Sequence, residues 1–346
     1  MKVFCAAERQ KIHYPRSFLV NGAPQPNPEV PERLDRLLQT AAPAGHDIAE
    51  PSDHGLGPIA AVHTPDYVRF LANIYERWAR IPDASAEVIP NIHPDRRDAS
   101  YPLSAVGQAG YHMADTACPI GPGSWESIRW SANTAAAGAH HVLDGAPVAY
   151  ALCRPPGHHA FTDLAGGFCF VNNAAVAAMV LRGDHERVAI VDVDLHHGNG
   201  TQGIFYRRAD VLTISVHADP VRFYPFFWGH AHERGEGPGL GYNLNLPLPR
   251  GAQDDAFLGA LDCGLESVEA FAPGALVVAL GLDAFEGDPF GGLSVTTGGF
   301  GQIGQRLADL GLPTVIVQEG GYLCDAFGDN LTAFLASSDA ARDAFR

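Results

Sequence analysis

Short apolar runs recur along the second half of the chain and alternate with segments of helical periodicity. The runs cover residues 148–153, 188–194, 211–217, 275–283 and 313–319, with a shorter one at 1–5. Helical patterns occupy residues 170–181, 254–271 and 297–310. Continuous apolar strands are typical of parallel sheets, because helices cover both faces of such sheets. The pattern predicts a single α/β domain over residues 1–346, with three αβα layers and a mostly parallel central sheet.

The first part of the chain is less regular. Residues 32–42 and 65–80 have helical periodicity, and residues 14–31 are rich in proline, glycine and asparagine, which predicts a long loop. Residues 81–101 are rich in proline and have no clear period. Loops of this length are uncommon in compact domains unless they are functional. We therefore expect an insertion at 81–101 that lies over an active site or at a subunit contact, with a disordered linker as the alternative.

The composition narrows the possible surroundings and partners. The 346 residues include six cysteines without a C-x-x-C pair, a usage typical of reduced cytoplasmic proteins. The sequence contains no apolar run long enough to cross a bilayer and no N-terminal signal core. The formal net charge of −16 argues against nucleic acid as a partner. It is compatible with a cationic substrate, although acidity also serves solubility. We expect a cytoplasmic protein that binds neither nucleic acid nor membrane.

Polar residues interrupt the apolar run 188–194 at every second position. Because side chains alternate along a strand, Asp192, Asp194 and, if the extended backbone continues, His196 share one face. Two carboxylates and an imidazole are costly to bury unless they are paired. A metal ion would satisfy them, and zinc accepts both aspartate oxygen and histidine nitrogen. The alternative is a strand end that carries a salt-bridged aspartate and surface histidines.

Other predicted strands also end in residues that can perform chemistry. They are His158 and His159, His217, Asp283, and Tyr322. Ligands of open α/β sheets bind outside the carboxyl ends of the strands, so these side chains are expected to converge. The predicted catalytic metal ligands are Asp194, His196 and Asp283, with Glu286 and Asp288 as rivals to Asp283.

The same residues supply the other parts of a hydrolytic site. His158 and His159 follow a rigid Pro-Pro-Gly turn and suit general acid–base work. Tyr322 follows two glycines, which let its loop move freely, and its hydroxyl can donate a hydrogen bond to a developing oxyanion. The set predicts metal-assisted hydrolysis of an amide or an ester.

Six ordered segments run over nearly the whole chain: PERLD at 31–35, RPPGHH at 154–159, GGFCFVNN at 166–173, DVDLHHGNGT at 192–201, LGLD at 280–283 and EGGY at 319–322. Together they resemble the arginase/histone-deacetylase superfamily. Within it, the chain most resembles the bacterial acetylpolyamine amidohydrolases, because of GHAHE at 229–233, the proline-rich insertion and EGGY. The resemblance implies an arginase/deacetylase-like fold and a zinc-dependent amidohydrolase.

The resemblance also implies a role for each matching residue. The implied zinc ligands are Asp194, His196 and Asp283. His159 would be the general base and acid, with Asn199 polarising it. His158 would be an electrostatic partner held by Asp192, and Tyr322 would polarise the scissile carbonyl.

Further implied sites concern the substrate and a second ion. Phe168 and Tyr224 would line the substrate tunnel, with Gly167 at its floor. A structural potassium ion would bind at Asp192, Asp194, His196, Ser215 and Val216. Two positions depart from the pattern: Asn199 stands where histone-acting deacetylases often have aspartate, and Tyr224 stands where phenylalanine is usual.

The expected reaction is removal of an acetyl group from a small amine such as an acetylated polyamine. An acetyl-lysine protein deacetylase and an amidase for other small amides remain alternatives. A metal-bearing binding protein is disfavoured, because binding alone requires neither Tyr322 nor the His158/His159 pair. A two-metal ureohydrolase is disfavoured by the same residues. We expect a homodimer whose contact includes residues 78–101.

Some nearby residues have a simpler interpretation. His217 and Cys169 are expected to pack in the core. The aromatic residues Phe223, Phe226, Phe227 and Trp228 are either substrate contacts or an ordinary hydrophobic patch. The acidic residues Glu87, Asp95, Asp98 and Asp115 could bind a distal ammonium group, but each is more simply a solvated charge.

Overall fold

The computed structural model describes residues 1–95 and 98–344, and its largest element is a parallel sheet. Within these residues every neighbouring pair of strands in that sheet is parallel. The strands of the chain are β1 (Lys2–Phe4), β2 (Ser17–Val20), β3 (Ala23–Pro26), β4 (Asp47–Ala49), β5 (Val148–Ala151), β6 (Val188–Asp192), β7 (Val211–Ala218), β8 (Asn243–Leu248), β9 (Ala275–Leu280) and β10 (Thr314–Gln318). The strands β2 and β3 form a separate hairpin.

The order of strands across the large sheet is β4-β1-β5-β10-β9-β6-β7-β8. The strand that comes last in the chain, β10, therefore lies between β5 and β9. This order places β5, β10, β9, β6 and β7 side by side, so that the loops after their carboxyl ends share one edge of the sheet.

Helices cover both faces of the sheet, as the apolar runs predict. The helices are α1 (Ala7–Gln10), α2 (Glu32–Ala41), α3 (Gly57–Ala60), α4 (Pro65–Trp78), α5 (Ala105–His112), α6 (Ser124–Leu143), α7 (Asn173–Leu181), α8 (Asn199–Phe205), α9 (Asp254–Phe271), α10 (Thr297–Asp309) and α11 (Phe327–Ala344). The core against one face includes α4 to α7, and the core against the other includes α2 and α9 to α11. Adjacent residues of β6 alternate between them: Ile190 belongs to the first core, and Ala189 and Val191 to the second. The three-layer αβα prediction is confirmed.

The predicted loop at 14–31 is wrong in its centre, where the chain forms the β2–β3 hairpin. Asn21 and Gly22 connect these strands, both with positive φ, at 52° and 80°. Asn-Gly is the residue pair that such two-residue hairpin turns favour. The signal was therefore present in the sequence, but the prolines around it suggested a loop.

The insertion at 81–101 has neither helix nor strand in its described residues 81–95 and 98–101, and Arg96 and Arg97 lie outside the description. The segment is nevertheless packed. Val88 forms a bridge with Ile120, and a Cβ at Gly110 of α5 would lie 1.8 Å from the Ile92 carbonyl oxygen. Among the described helices, none is both long enough and apolar enough to cross a membrane.

Candidate active site

The turn after β6 brings Asp192, Asp194 and His196 together. β6 ends at Asp192, two residues earlier than predicted, so strand alternation alone does not align them. Hydrogen bonds between side chains and the backbone of the following residues keep the three side chains together instead. The Asp194 N–H donates to Asp192 Oδ1 at 3.0 Å, and the His196 N–H donates to Asp194 Oδ1 at 2.8 Å. Such local bonds replace the ladder bonds that the backbone loses where the strand ends.

The predicted metal ligands form a tight buried cluster. His196 Nδ1 lies 3.2 Å from both Asp194 Oδ1 and Asp283 Oδ2, and one ligand atom from each residue lies within 4.8 Å of the others. Asp283 follows β9 by three residues and is anchored where its Oδ1 accepts the Leu195 N–H at 3.0 Å. The rival Asp288 accepts backbone N–H groups elsewhere, and Glu286 is exposed.

Two glycines leave the space that these carboxylates occupy. A Cβ at Gly320 would lie 2.3 Å from Asp283 Oδ2 and 2.5 Å from Asp194 Oδ2. A Cβ at Gly281 would lie 2.2 Å from Asp194 Oδ2. The Gly320 N–H also donates to Asp194 Oδ2 at 2.8 Å. Only a residue without a side chain lets the loops after β9 and β10 approach the carboxylates this closely.

The electrostatics of the cluster favour a cation. Burial disfavours a charged imidazole, yet the hydrogen bonds to Asp194 and Asp283 raise the pKa of His196 to about 9. Burial raises the pKa of the Asp283 carboxyl, and the Asp194 charge adds to this effect. Two carboxylate oxygens and one imidazole nitrogen are a donor set that zinc accepts in catalytic sites. These residues therefore fit a divalent metal ion.

The two histidines after β5 have opposite electrostatic surroundings. His158 Nδ1 lies 2.9 Å from Asp192 Oδ2, and His159 Nδ1 lies 2.6 Å from Asn199 Oδ1. Burial acts against charge on His158, but the Asp194 and Asp192 carboxylates raise its pKa to about 10. Burial and the neighbouring His158 and His196 hold the pKa of His159 well below its usual value. One ring is suited to carry charge, and the other is suited to accept a proton.

Tyr322 is held by contacts on two sides of its loop. Its N–H donates to Asp288 Oδ2 at 3.0 Å, while Arg33 Nε donates to the Gly321 carbonyl at 2.6 Å. The Arg33 guanidinium lies 4.9 Å from the Tyr322 ring centroid. Burial raises the pKa of the Tyr322 hydroxyl well above its usual value, so the group stays protonated and can donate.

The predicted tunnel residues lie next to the histidines. A Cβ at Gly167 would lie 2.4 Å from His159 Cδ2 and 2.8 Å from Tyr224 Oη. The Tyr224 ring lies 4.9 Å from that of His159, and Phe168 lies 6.0 Å from Tyr322 between ring centroids. The Tyr224 hydroxyl donates to Asp115 Oδ2 at 2.7 Å, and the Gly167 N–H donates to the same oxygen at 3.1 Å. Asp115 is therefore half-buried and fixed by two hydrogen bonds, rather than a freely solvated side chain.

Sequence reasoning missed or left open two aromatic neighbours. Phe223 stacks on the His196 ring at 5.2 Å, so it contacts the site rather than only forming part of a hydrophobic patch. Phe290 lies 4.6 Å from the Tyr322 ring and 5.5 Å from that of His196, and the sequence pattern did not indicate it. The one feature of the sequence that could have indicated Phe290 is its position in the loop that begins at Asp283.

The other predicted residues are placed as follows. Asp192 is in register with Ser215, which brings two members of the predicted potassium set together, and Val216 follows on β7. His217 is buried, with its ring between Ser215 Oγ at 2.8 Å and the Gly229 carbonyl at 2.9 Å. Cys169 is also buried. Among the other acidic candidates, Glu87 is buried, and Asp95 and Asp98 are exposed.

Comparison with known proteins identifies the family. A sequence profile of the histone deacetylase domain matches residues 27–338. The chain belongs to the histone deacetylase family. Members of this family are hydrolases of amide bonds, and the chain is accordingly a metal-dependent enzyme of this class.

Individual members of the histone deacetylase family are similar over nearly their whole length. An acetylpolyamine amidohydrolase of Burkholderia pseudomallei is 48% identical over 334 residues, which cover 96% of this chain and 97% of that one. Acetylpolyamine amidohydrolase 1 of Pseudomonas aeruginosa is 41% identical, with coverages of 97% and 98%. A crystal structure of the acetylpolyamine aminohydrolase from B. pseudomallei superposes with a TM-score of 0.96 at 46% identity and covers 99% of each chain.

Proposed function

We propose that this chain is a zinc-dependent amidohydrolase that removes the acetyl group from a small acetylated amine, such as an acetylated polyamine. The observation that carries the proposal is the buried cluster of Asp194, His196 and Asp283 beside a neutral His159 and a protonated Tyr322. The similarity to proteins named acetylpolyamine amidohydrolases over nearly the whole chain supports the substrate class.

Asp194, His196 and Asp283 would hold the zinc ion and leave a coordination position open. A bound zinc ion polarises a carbonyl group and makes water a better nucleophile at neutral pH. The chain's own contribution is to place two buried carboxyl groups and one buried imidazole around a single point. Because residues 281 and 320 are glycines, no side chain occupies the space that the two carboxylates fill around that point.

The surrounding residues would move protons and stabilise charge. His159, whose depressed pKa leaves it neutral, would accept the proton of the attacking water and return it to the leaving amine. Asn199 orients that ring through Nδ1. His158, held by Asp192, would offset the negative charge that develops on the substrate. Tyr322 would donate its hydroxyl to the carbonyl oxygen.

The tunnel walls support a slim, cationic substrate. Gly167, Phe168 and Tyr224 would contact the alkyl chain beside His159. Asp115 adds a partly exposed carboxylate to this wall, fixed by Tyr224 and Gly167. The net charge of −16 would attract a cation over longer distances.

A structural potassium ion and a homodimer complete the proposal. The potassium ion would bind at Asp192, Asp194, His196, Ser215 and Val216, and the register between β6 and β7 supports this set. The dimer contact would include residues 78–101, whose exposed apolar side chains Ile92 and Tyr101 support it.

The test is an assay of the zinc-loaded enzyme on acetylputrescine, acetylspermidine, an acetyl-lysine peptide and an aryl amide. We expect the acetylated amines to have the highest kcat/KM. His196→Ala should lose metal and activity together, whereas His232→Ala, at an exposed histidine, should keep both. Full zinc content in His196→Ala would refute the ligand set. Equal rates on the peptide would refute the substrate class.

A further inference from the structure

A second group of potential metal ligands lies beside the candidate active site. His158, Cys169 and Glu319 each present one ligand atom, and these atoms lie within 4.8 Å of one another. None of them belongs to the cluster of Asp194, His196 and Asp283. The exposed fraction is 2% for His158 and 0% for both Cys169 and Glu319, so bulk water does not solvate these side chains. Imidazole nitrogen, thiolate sulfur and carboxylate oxygen are all ligands that zinc accepts.

The carboxylate of Glu319 is only half satisfied. Its Oε2 accepts the N–H groups of Gly157 at 2.6 Å and His158 at 3.0 Å. Its Oε1 is buried and has no hydrogen-bond partner among the described residues. A buried oxygen of an acidic group without a partner destabilises the folded protein, because the oxygen has lost its hydrogen bonds to water and gained none in return. This unpaired oxygen is an acceptor that a cation bound beside it could use.

The other two side chains are also arranged to coordinate a metal ion. Asp192 Oδ2 lies 2.9 Å from His158 Nδ1, which leaves Nε2 as the available donor atom. A carboxylate behind an imidazole in this way is the usual partner of a metal-binding histidine. The Cys169 thiol contacts the Gly167 carbonyl at 3.4 Å, a weak bond that a metal–thiolate bond readily replaces.

The spacing suits a small divalent ion. A point equidistant from three atoms that are at most 4.8 Å apart can lie within roughly 2.8 Å of each, and zinc bonds to N, O and S measure roughly 2.0–2.3 Å. Small side-chain rotations would close the difference. We propose that His158, Cys169 and Glu319 form a second, inhibitory site for a borderline or soft divalent cation, such as Zn²⁺ or Cd²⁺.

Binding at this site would be a coordination step without redox change. The ion would form bonds to the His158 nitrogen, the Cys169 sulfur and a Glu319 oxygen, and the protons of the imidazole and thiol would leave to solvent. One thiolate and one carboxylate balance the two positive charges of the ion. Because His158 would no longer be free beside the substrate, hydrolysis should stop. This inhibitory consequence rests on the proposed function, whereas the binding itself does not.

The direct test is a Cd²⁺ titration of the zinc-loaded enzyme, monitored by the ultraviolet charge-transfer absorption of cadmium–thiolate bonds. The background protein carries Cys263→Ser and Cys324→Ser, which remove the exposed and half-buried thiols. We expect a saturating band at one Cd²⁺ per chain. Cys169→Ser should abolish it, and the matched changes Cys118→Ser and Cys153→Ser, at other buried thiols, should not. The primary zinc ligands include no thiol, so they produce no such band.

A second variant covers the case in which Cys169→Ser fails to fold. Glu319→Gln keeps an oxygen for the Gly157 and His158 N–H groups but loses the charge, and it should weaken Cd²⁺ binding by at least about tenfold. A missing band in the background protein, a band that persists in Cys169→Ser, or unchanged affinity in Glu319→Gln overturns the proposal.

Activity separates this proposal from the proposed function. Zinc added beyond one equivalent should inhibit the background protein and spare Cys169→Ser. An enzyme that is inactive on every amide at one equivalent of zinc contradicts the proposed function, while the cadmium band still decides whether the second site exists.

Discussion

At the scale of single residues, the Tyr322 hydroxyl can be removed while the contacts of its ring are kept. Its ring packs against Phe290 and Arg33, and a phenylalanine at this position keeps those contacts. If the hydroxyl donates to the carbonyl, Tyr322→Phe should lower kcat by roughly a hundredfold or more, with the metal retained. Tyr14→Phe, at an exposed tyrosine, is the matched control. Near-normal turnover of Tyr322→Phe would rule the role out.

Asp288 holds the backbone of Tyr322 and is not among the residues proposed to contact the substrate. Its two oxygens accept the backbone N–H groups of Tyr322 at 3.0 Å and Phe290 at 2.9 Å, although burial and the Asp283 charge raise its pKa to about 7. An asparagine side chain at this position would offer one acceptor oxygen and place an NH₂ group against the other N–H. Loss of one charge-assisted bond, about 1.5–3 kcal/mol, predicts that Asp288→Asn lowers kcat roughly tenfold or more with little change in KM.

The effect of Asp288 should depend on the Tyr322 hydroxyl. Kinetics of Asp288→Asn, Tyr322→Phe and the double variant form a mutant cycle that measures this dependence. Because Asp288 acts through Tyr322, Asp288→Asn should cost little in the Tyr322→Phe background. Additive losses in kcat would mean that Asp288 only stabilises the fold. Metal content should be equal in all three proteins.

At the scale of elements, the loops after the strands hold the site through close backbone approaches. Gly320 is the clearest case, because an alanine Cβ there would overlap the carboxylates of Asp283 and Asp194. Gly320→Ala should therefore displace both carboxylates and lower zinc content and activity together. Metal analysis of the purified variant checks this.

A glycine in an open position provides the control for that change. Gly259 lies exposed within α9, where a Cβ meets nothing within 4 Å. Gly259→Ala should keep zinc and activity and raise the free energy of unfolding by about 0.5–1 kcal/mol, because alanine loses less backbone entropy on folding. Full zinc content in Gly320→Ala would show that the two loops can separate without loss of the site.

At the scale of the whole molecule, the insertion at 81–101 is expected to select the substrate. A narrow, acidic entrance, partly supplied by a second subunit, would admit a slim cation and exclude a peptide. Replacing the tip of the insertion with a short glycine–serine linker should raise kcat/KM for the acetyl-lysine peptide relative to kcat/KM for the small acetylated amines. It should also weaken the proposed homodimer, as measured by light scattering. A changed dimer with an unchanged substrate ratio would separate the two roles.

The histone deacetylase fold and the chemistry of the site follow largely from local sequence. Strand and helix periods identified the sheet and most of the helices in the second half of the chain, because both sides of a parallel sheet must be apolar. The sequence grouped Asp194, His196 and Asp283 because each carries a donor atom near a strand end, and in the fold these atoms lie within 4.8 Å of one another. The bounds of α9 agree with the predicted 254–271.

Lateral order and close contacts were decided only by the tertiary structure. Apolar periodicity says that a strand is buried but not which strand lies beside it, so the place of β10 between β5 and β9 was unpredictable. That order places the loop after β10 beside the loop after β5, where Glu319 Oε2 accepts the Gly157 and His158 N–H groups. The contact of Asp115 with Tyr224 joins residues 109 positions apart, and no local pattern encodes it. Sequence determined which groups could do chemistry, whereas packing of distant segments determined which of them meet, because side-chain contact depends on the geometry of the whole core.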